Sequence, residues 1–490
     1  MSVDQTSATT VAPESSDRIP GQVKLVLILL LAASFVMILN ETVMSVAVPR
    51  LMTDFGVTAA SAQWLTTAFM LTMAVVIPVT GYLLQRFTTR AVFIAAMTLF
   101  SAGTLVAAAA PTFWVLVAGR VVQASGTAVM LPLLITTVLT FVPINRRGST
   151  MGLISIVIAV APAVGPTISG LILADLSWRW LFLIMLPIAL IALVAGAALV
   201  RNISDPQRIP LDVASVILSA VAFGGLIYGL SSIGEAAAGH TPVAPAVPIA
   251  LGALSLALFV WRQTVLQRSG APLLDLRPFR TRSFVVGVIM LLVAMGALFG
   301  TIILLPLYLQ GVLGLTTLES GLVLLPGGLV MGLIAPFVGR LFDRFGPRPL
   351  VIPGAFVVTA ALGLLTRLGT DSEVGLIVGI HVLLSLGLGM LMTPLMTSSL
   401  GAVPAELYSH ASAILNTLQQ LAGAAGTALF VTVMTTGATA AAASGLDPVS
   451  AQAEGIHEAF LWGSALALVA AALSFLIRRP APSATPLPVH

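Results

Sequence analysis

The chain has 490 residues, of which 58% are apolar and only 8% charged, and its mean hydropathy is +1.07. A water-soluble protein of this length must wet its exterior; here most of the exterior must face lipid, where backbone hydrogen bonds close internally in helices or barrels. There is no cysteine, which excludes disulfides, thiolate metal sites and thiol nucleophiles, and the net charge of +4 is spread over short loops instead of forming a nucleic-acid-binding face.

Residues 1–23 are polar and rich in Ser and Thr, which predicts a disordered tail. Small residues at Ser45-Val46-Ala47 admit a cleaved leader, but the apolar run before them is longer than a signal-peptide core. Runs of about 20 apolar residues, the length of a spanning helix, then recur without the alternation of barrel strands. They lie at 25–46, 62–84, 91–110, 112–141, 150–173, 181–200, 212–233, 246–262, 284–310, 318–341, 350–367, 374–399, 411–437 and 458–477, fourteen in all.

The first run contains Glu41, the one carboxylic acid expected deep in a span. An acid at membrane depth costs roughly 2.5–3.5 kcal/mol on insertion scales and marks a functional site. It is read as a proton carrier facing an internal cavity, or as a structural acid that stays protonated or pairs locally. Arg120, the one Arg deep in a span, sits among small residues that favour close packing and a shared cavity; snorkelling to the surface is the alternative. In the fifth run, Pro162 and Pro166 permit a bend, and Gly165 and Gly170 permit close helix approach. Residues 201–283 hold two further spans and then a basic stretch, read either as a helix on the inner membrane surface or as a plain linker. In the thirteenth run Asn416, Gln419 and Gln420 share one helix face and are candidates to line a cavity or to bond between helices. His381 and Gln63 are further polar residues within spans; a lone His near a helix start reads first as a packing residue.

With the N-terminus inside, eighteen basic residues fall on the inner side, only Arg50, Arg179 and Arg367 fall outside, and Arg120 lies within a span. Both ends are therefore expected in the cytoplasm. An internal repeat supports the count: Gly81-Tyr82-Leu83-Leu84-Gln85-Arg86-Phe87-Thr88-Thr89-Arg90 aligns with Gly339-Arg340-Leu341-Phe342-Asp343-Arg344-Phe345-Gly346-Pro347-Arg348 at an offset of 258, with five of ten positions identical. The repeat makes spans 1–6 and 9–14 equivalent halves with spans 7 and 8 inserted, two bundles about a central cavity. The expected divisions are a tail at 1–23, a bundle at 24–200, the insert at 201–283, a second bundle at 284–479 and a tail at 480–490.

These local patterns resemble the major facilitator superfamily, and specifically its fourteen-helix drug:proton antiporters. Leu39–Pro49 is similar to the first-helix signature, although the family more usually has Asp where Asn40 stands. The acid here comes one residue later, about 100° around the helix. Gly81–Arg90 and Gly339–Arg348 resemble the cytoplasmic loop motif. Gly339, Asp343, Arg344 and Arg348 match in the second copy and Gly81, Arg86 and Arg90 in the first, where Gln85 replaces the Asp and Thr88 the loop Gly. Arg120 and Gln123 fit the fourth-helix motif. Ala161–Gly170, with Gly165, Pro166 and Gly170, resembles the fifth-helix motif of the family's exporters, followed by Ser177-Trp178-Arg179-Trp180.

The resemblance implies an all-α polytopic membrane protein of the major facilitator fold, with two six-helix bundles plus two extra helices. It implies a proton-coupled antiporter of the cytoplasmic membrane that exports lipophilic drug-like compounds by alternating access, the alternative being a dedicated exporter of one metabolite, lipid or antibiotic. Glu41 and Arg120 would couple the proton, and Asn40, Gln123, Asn416, Gln419 and Gln420 would line the substrate cavity. The motif acid would hold the cytoplasmic side shut by capping a neighbouring helix or pairing with Arg. No catalytic cluster, metal-ligand set or nucleotide-binding loop is legible, so the expected driving force is the proton gradient, with no cofactor and no nucleic-acid partner. That gradient supplies about 2.3 kcal/mol per charge per 100 mV. A monomer working with protons, lipid and small lipophilic substrates is expected.

Overall fold

The computed structural model describes residues 21–57, 59–200, 202, 210–233, 243–268 and 272–477. The predicted tail before residue 21 and the tail at 480–490 lie outside the described residues. Within them the chain forms fourteen long helices: α1 (Gly21–Phe55), α2 (Ala59–Arg86), α3 (Thr89–Ala108), α4 (Phe113–Phe141), α5 (Ile144–Asp175), α6 (Trp180–Leu199), α7 (Val213–Ser231), α8 (Ala246–Leu266), α9 (Arg282–Gly311), α10 (Thr317–Phe345), α11 (Arg348–Leu365), α12 (Val374–Gly401), α13 (Tyr408–Ala443) and α14 (Pro448–Ser474). Thirteen are long and apolar enough to cross a membrane on the residues described. The remaining helix, α5, has 32 residues and is also long enough to span.

Several helices outrun their apolar segments. α1 extends to Phe55 and α13 to Ala443, because helical hydrogen bonding continues past the lipid-soluble stretch into the interface. In the described part of the basic stretch after α8 there is only a four-residue 3-10 turn, Arg277–Arg280, and no surface helix.

Two six-helix bundles follow from the packing. In the first, α3 packs on α4 and α6, α2 on α4, and α1 on α4, α5 and α6. In the second, α11 packs on α12 and α14, α10 on α12, and α9 on α12, α13 and α14, the same scheme moved on by eight helices. The bundles meet through α5 against α10 and α2 against α13, contacts that the repeat makes equivalent. The extra pair, α7 and α8, packs on itself and through α7 on α2 and α13. Its outer face is apolar: Leu251, Leu254 and Trp261 on α8 project away from the protein, as lipid requires.

The two copies of the loop motif explain their own sequence differences. Gly346 ends α10 at φ 80°, the left-handed region that favours glycine. In the first copy Thr88 stands at the equivalent place in extended backbone, and its side chain accepts from Ala91 N at 3.3 Å, capping α3. The last Arg of each copy ties its helix to the end of the bundle: Arg90 donates to Ala197 O at 2.6 Å and Arg348 to Ile477 O at 2.7 Å.

Candidate functional site: a buried arginine network in the first bundle

Small residues on α3 and α4 bring these helices into backbone contact, and the polar residues between them are sealed from solvent. A Cβ on Gly103 would lie 2.6 Å from the carbonyl of Gly119, and one on Gly119 would lie 2.9 Å from Ala107 N. Within this seam Arg120 is 1% exposed and its head is held on several sides. Nη1 donates to Asn40 Oδ1 on α1 at 2.9 Å and to Gln123 Oε1 at 2.8 Å.

Because arginine only donates, both amides must present oxygen, which fixes the direction of the chain of bonds. Gln123 Nε2 then donates to Thr104 Oγ1 at 2.7 Å, and Thr104 donates to Phe100 O at 2.7 Å. The Phe69 ring on α2 covers the guanidinium, with Cζ 4.1 Å from its centroid. Nε of Arg120 has no hydrogen-bond partner.

Glu41 follows Asn40 on α1 and is half-buried. It takes part in none of the ion pairs found among the described residues, but its charge acts on that of Arg120. The family's Asp position, occupied by Asn40, thus contacts the guanidinium, and the acid sits one residue on. Thr42, the next residue, lies close against α5: a Cβ on Gly165 would lie 3.0 Å from Thr42 Cβ and would collide with its hydroxyl. Gly170 has open space around it, so the close approach expected at both glycines occurs only at Gly165. The side chains of Pro166 and Gln63 lie outside the described residues.

The amides of α13 are not gathered with this network. Asn416 Nδ2 donates to Ser412 O of its own helix at 2.8 Å, Gln420 Nε2 meets Met73 Sδ on α2 at 3.8 Å, and Gln419 Nε2 is buried without a partner.

A second set of contacts closes the bundles together at the arginine-rich end. Asp343 on α10 accepts from Gly148 N at 2.7 Å and Ser149 N at 2.8 Å, both near the start of α5, where the helix dipole favours negative charge. A Cβ on Gly148 would lie 2.6 Å from Gly339 O, so the two glycines are needed for this approach. The equivalent contact between α2 and α13 is neutral: Gln85 Nε2 lies 2.8 Å from His410 Nε2 and 3.3 Å from Ser409 Oγ. Arg147 donates to Tyr408 Oη at 3.1 Å across the same end. Arg86 is half-buried and Arg344 exposed, the latter 5.1 Å from the Phe345 ring. Gly148, Arg147, Tyr408 and His410 escaped the sequence reading; applying the repeat to the question of what Asp343 and Gln85 touch points to the starts of α5 and α13.

An all-helical membrane protein of two repeated bundles, with a sealed arginine beside a membrane-depth acid, has the make-up of a transporter. Residues 30–427 match the family model of the Major Facilitator Superfamily, and the chain belongs to that family of transporters. It is 44% identical over 454 residues to the lincomycin resistance protein LmrB of Listeria monocytogenes, covering 92% of this chain and 95% of the relative. It is 30% identical over 410 residues to the multidrug resistance protein B homolog of Mycobacterium tuberculosis, covering 82% of this chain and 74% of that protein. The crystal structure of the human organic anion transporter MFSD10 (TETRAN) superposes with a TM-score of 0.66 at 14% identity, covering 92% of this chain and 99% of that chain, a likeness of fold.

Proposed function

We propose that this protein is a proton-coupled antiporter that exports lipophilic drug-like compounds, lincomycin among them, across the cytoplasmic membrane. The observation that carries the reading is Glu41, an acid at membrane depth within reach of the charge of Arg120, in a chain 44% identical to a lincomycin resistance protein. Residues 24–200 and 284–479 are the moving bundles, 201–283 the insert, and both termini are cytoplasmic.

In this cycle Glu41 takes a proton from the outer side, which ends its attraction for Arg120 and leaves the guanidinium to Asn40 and Gln123. Release of that proton to the inner side restores the attraction. Substrate and proton compete for the cavity state, so one leaves as the other enters. The Asp343 contact with α5 and the Gln85 contact with α13 hold the cytoplasmic end closed in the outward-facing state and part when the bundles rock. Asn416, Gln419 and Gln420 come from the facing bundle, where Gln419 has an unpaired amide to offer a ligand.

A narrower second reading, a dedicated exporter of one antibiotic, is favoured by the single-compound name of the 44% identical relative. A panel of toxic compounds against cells with and without the protein tests both. Resistance to several unrelated lipophilic compounds, lost with Glu41→Gln and with a proton ionophore, is expected; resistance to lincomycin alone supports the narrow reading, and resistance that survives both treatments contradicts proton coupling.

A further inference from the structure

The repeat sets two different side chains at one matching place. On α4 that place is Arg120, the eighth residue of its helix, and on α12 it is His381, also the eighth and 261 residues on, three more than the loop offset. α2 covers Arg120 with Phe69; α10 presents Gly327 to His381, 258 residues after Phe69, the offset of the loop repeat. A Cβ on Gly327 would collide with the His381 ring, lying 2.6 Å from Nε2 and 2.7 Å from Ser385 Oγ. The second bundle thus has a glycine against its imidazole where the first has an aromatic ring over its guanidinium.

Packing alone does not explain that imidazole. A residue that only fills the seam between α10 and α12 would be apolar, because an unpaired buried polar atom costs about 1–3 kcal/mol. Nδ1 of His381 is buried with no hydrogen-bond partner. The ring's polar surroundings are the Leu324 carbonyl and Ser385. Among the described residues no charged group on α5, α9, α10, α11 or α13, the helices packed on α12, acts on it. Its charge state therefore depends on a proton and on access to water, and not on a fixed partner.

We propose that His381 is a second proton-binding residue of the transport cycle, with the free Nδ1 lone pair as the acceptor. This rests on the proton-coupled reading of Glu41. One proton from outer water binds Nδ1, the ring becomes a cation, and the same proton leaves to inner water. Each cycle then moves two protons, one per bundle, and the two sites differ in kind: protonation neutralises Glu41 and charges His381.

The test uses the full chain in proteoliposomes, with lincomycin as the probe and the membrane potential clamped at zero. A pH difference of one unit then holds about a hundredfold substrate gradient for two protons and about tenfold for one, a tenfold ratio per proton being about 1.4 kcal/mol. The wild type is expected to hold the hundredfold gradient and His381→Gln the tenfold one; equal gradients in the two overturn the proposal and leave the role of Glu41 standing. A wild type that holds no gradient overturns the reading beneath it. Histidine-labelled protein gives an independent answer by NMR, where the ring resonance missing from His381→Gln must change from neutral to charged as pH is lowered through the range in which the protein stays folded. A resonance that stays neutral throughout overturns the proposal even where His381→Gln folds but does not transport.

Discussion

Arg120 makes a heavy energetic demand on the first bundle, since a sealed guanidinium is costly and here only Nη1 is engaged, by Asn40 and Gln123, while Nε has no partner. Replacing it by Ala leaves Asn40 Oδ1 and Gln123 Oε1 buried without a donor, at roughly 1–3 kcal/mol each. Arg120→Ala should therefore lower the melting temperature in detergent, whereas Glu41→Gln, which breaks no hydrogen bond found among the described residues, should leave it close to wild type. Equal losses in both would contradict this division between structure and coupling. The prominence of Glu41 and Arg120 could be read from residue type and depth alone. Their geometry could not, because a helix register error of one residue turns a side chain by about 100°, and only the fold puts Asn40, not Glu41, in contact with the guanidinium.

Among the helices, the contact of α5 with α10 is the most specific, because a carboxylate there meets two backbone donors across a glycine pair. Asp343→Ala removes both bonds and should loosen the arginine-rich end. The absence of native cysteine gives a direct readout: a single Ser155→Cys, placed where Ser155 meets Thr393 at 2.7 Å between α5 and α12, should label faster in the Asp343→Ala background. Unchanged labelling would show that Asp343 does not hold these helices together.

The inserted pair has its own tie. Arg262 at the end of α8 donates to both oxygens of Asp212, at 2.8 Å each, just before α7. Those hydrogen bonds, with help from Ser215, hold the Asp212 carboxyl down at about 2. A depressed carboxyl stabilises the fold above its unfolded value, about 3.9, and that contribution fades as pH falls toward 2. Asp212→Asn should therefore melt below wild type at pH 6, by on the order of 1 kcal/mol after solvent screening, and match it near pH 2. A gap that persists at low pH would place its cause elsewhere. Helix number was legible because a bilayer demands about 20 apolar residues per crossing; helix ends were not, since nothing apolar marks where α1 or α13 stops. Partners such as Gly148 and Asp343 were also hidden, being 195 residues apart.

For the whole molecule, the internal repeat was the most informative sequence signal, since one loop motif and its offset imply the bundle scheme that the helix contacts show. Orientation is a separate matter, carried by where the Arg residues fall. Reporter fusions at both ends should give cytoplasmic signals and no outer-side signal; one end outside would break the assignment of the loops. The central claim is that substrate movement is exchanged for protons at Glu41. Lincomycin added to proteoliposomes containing a trapped pH dye tests it most directly. The wild type should release protons in proportion to lincomycin moved and Glu41→Gln, equally well folded, should not. Equal release from both proteins would contradict the claim.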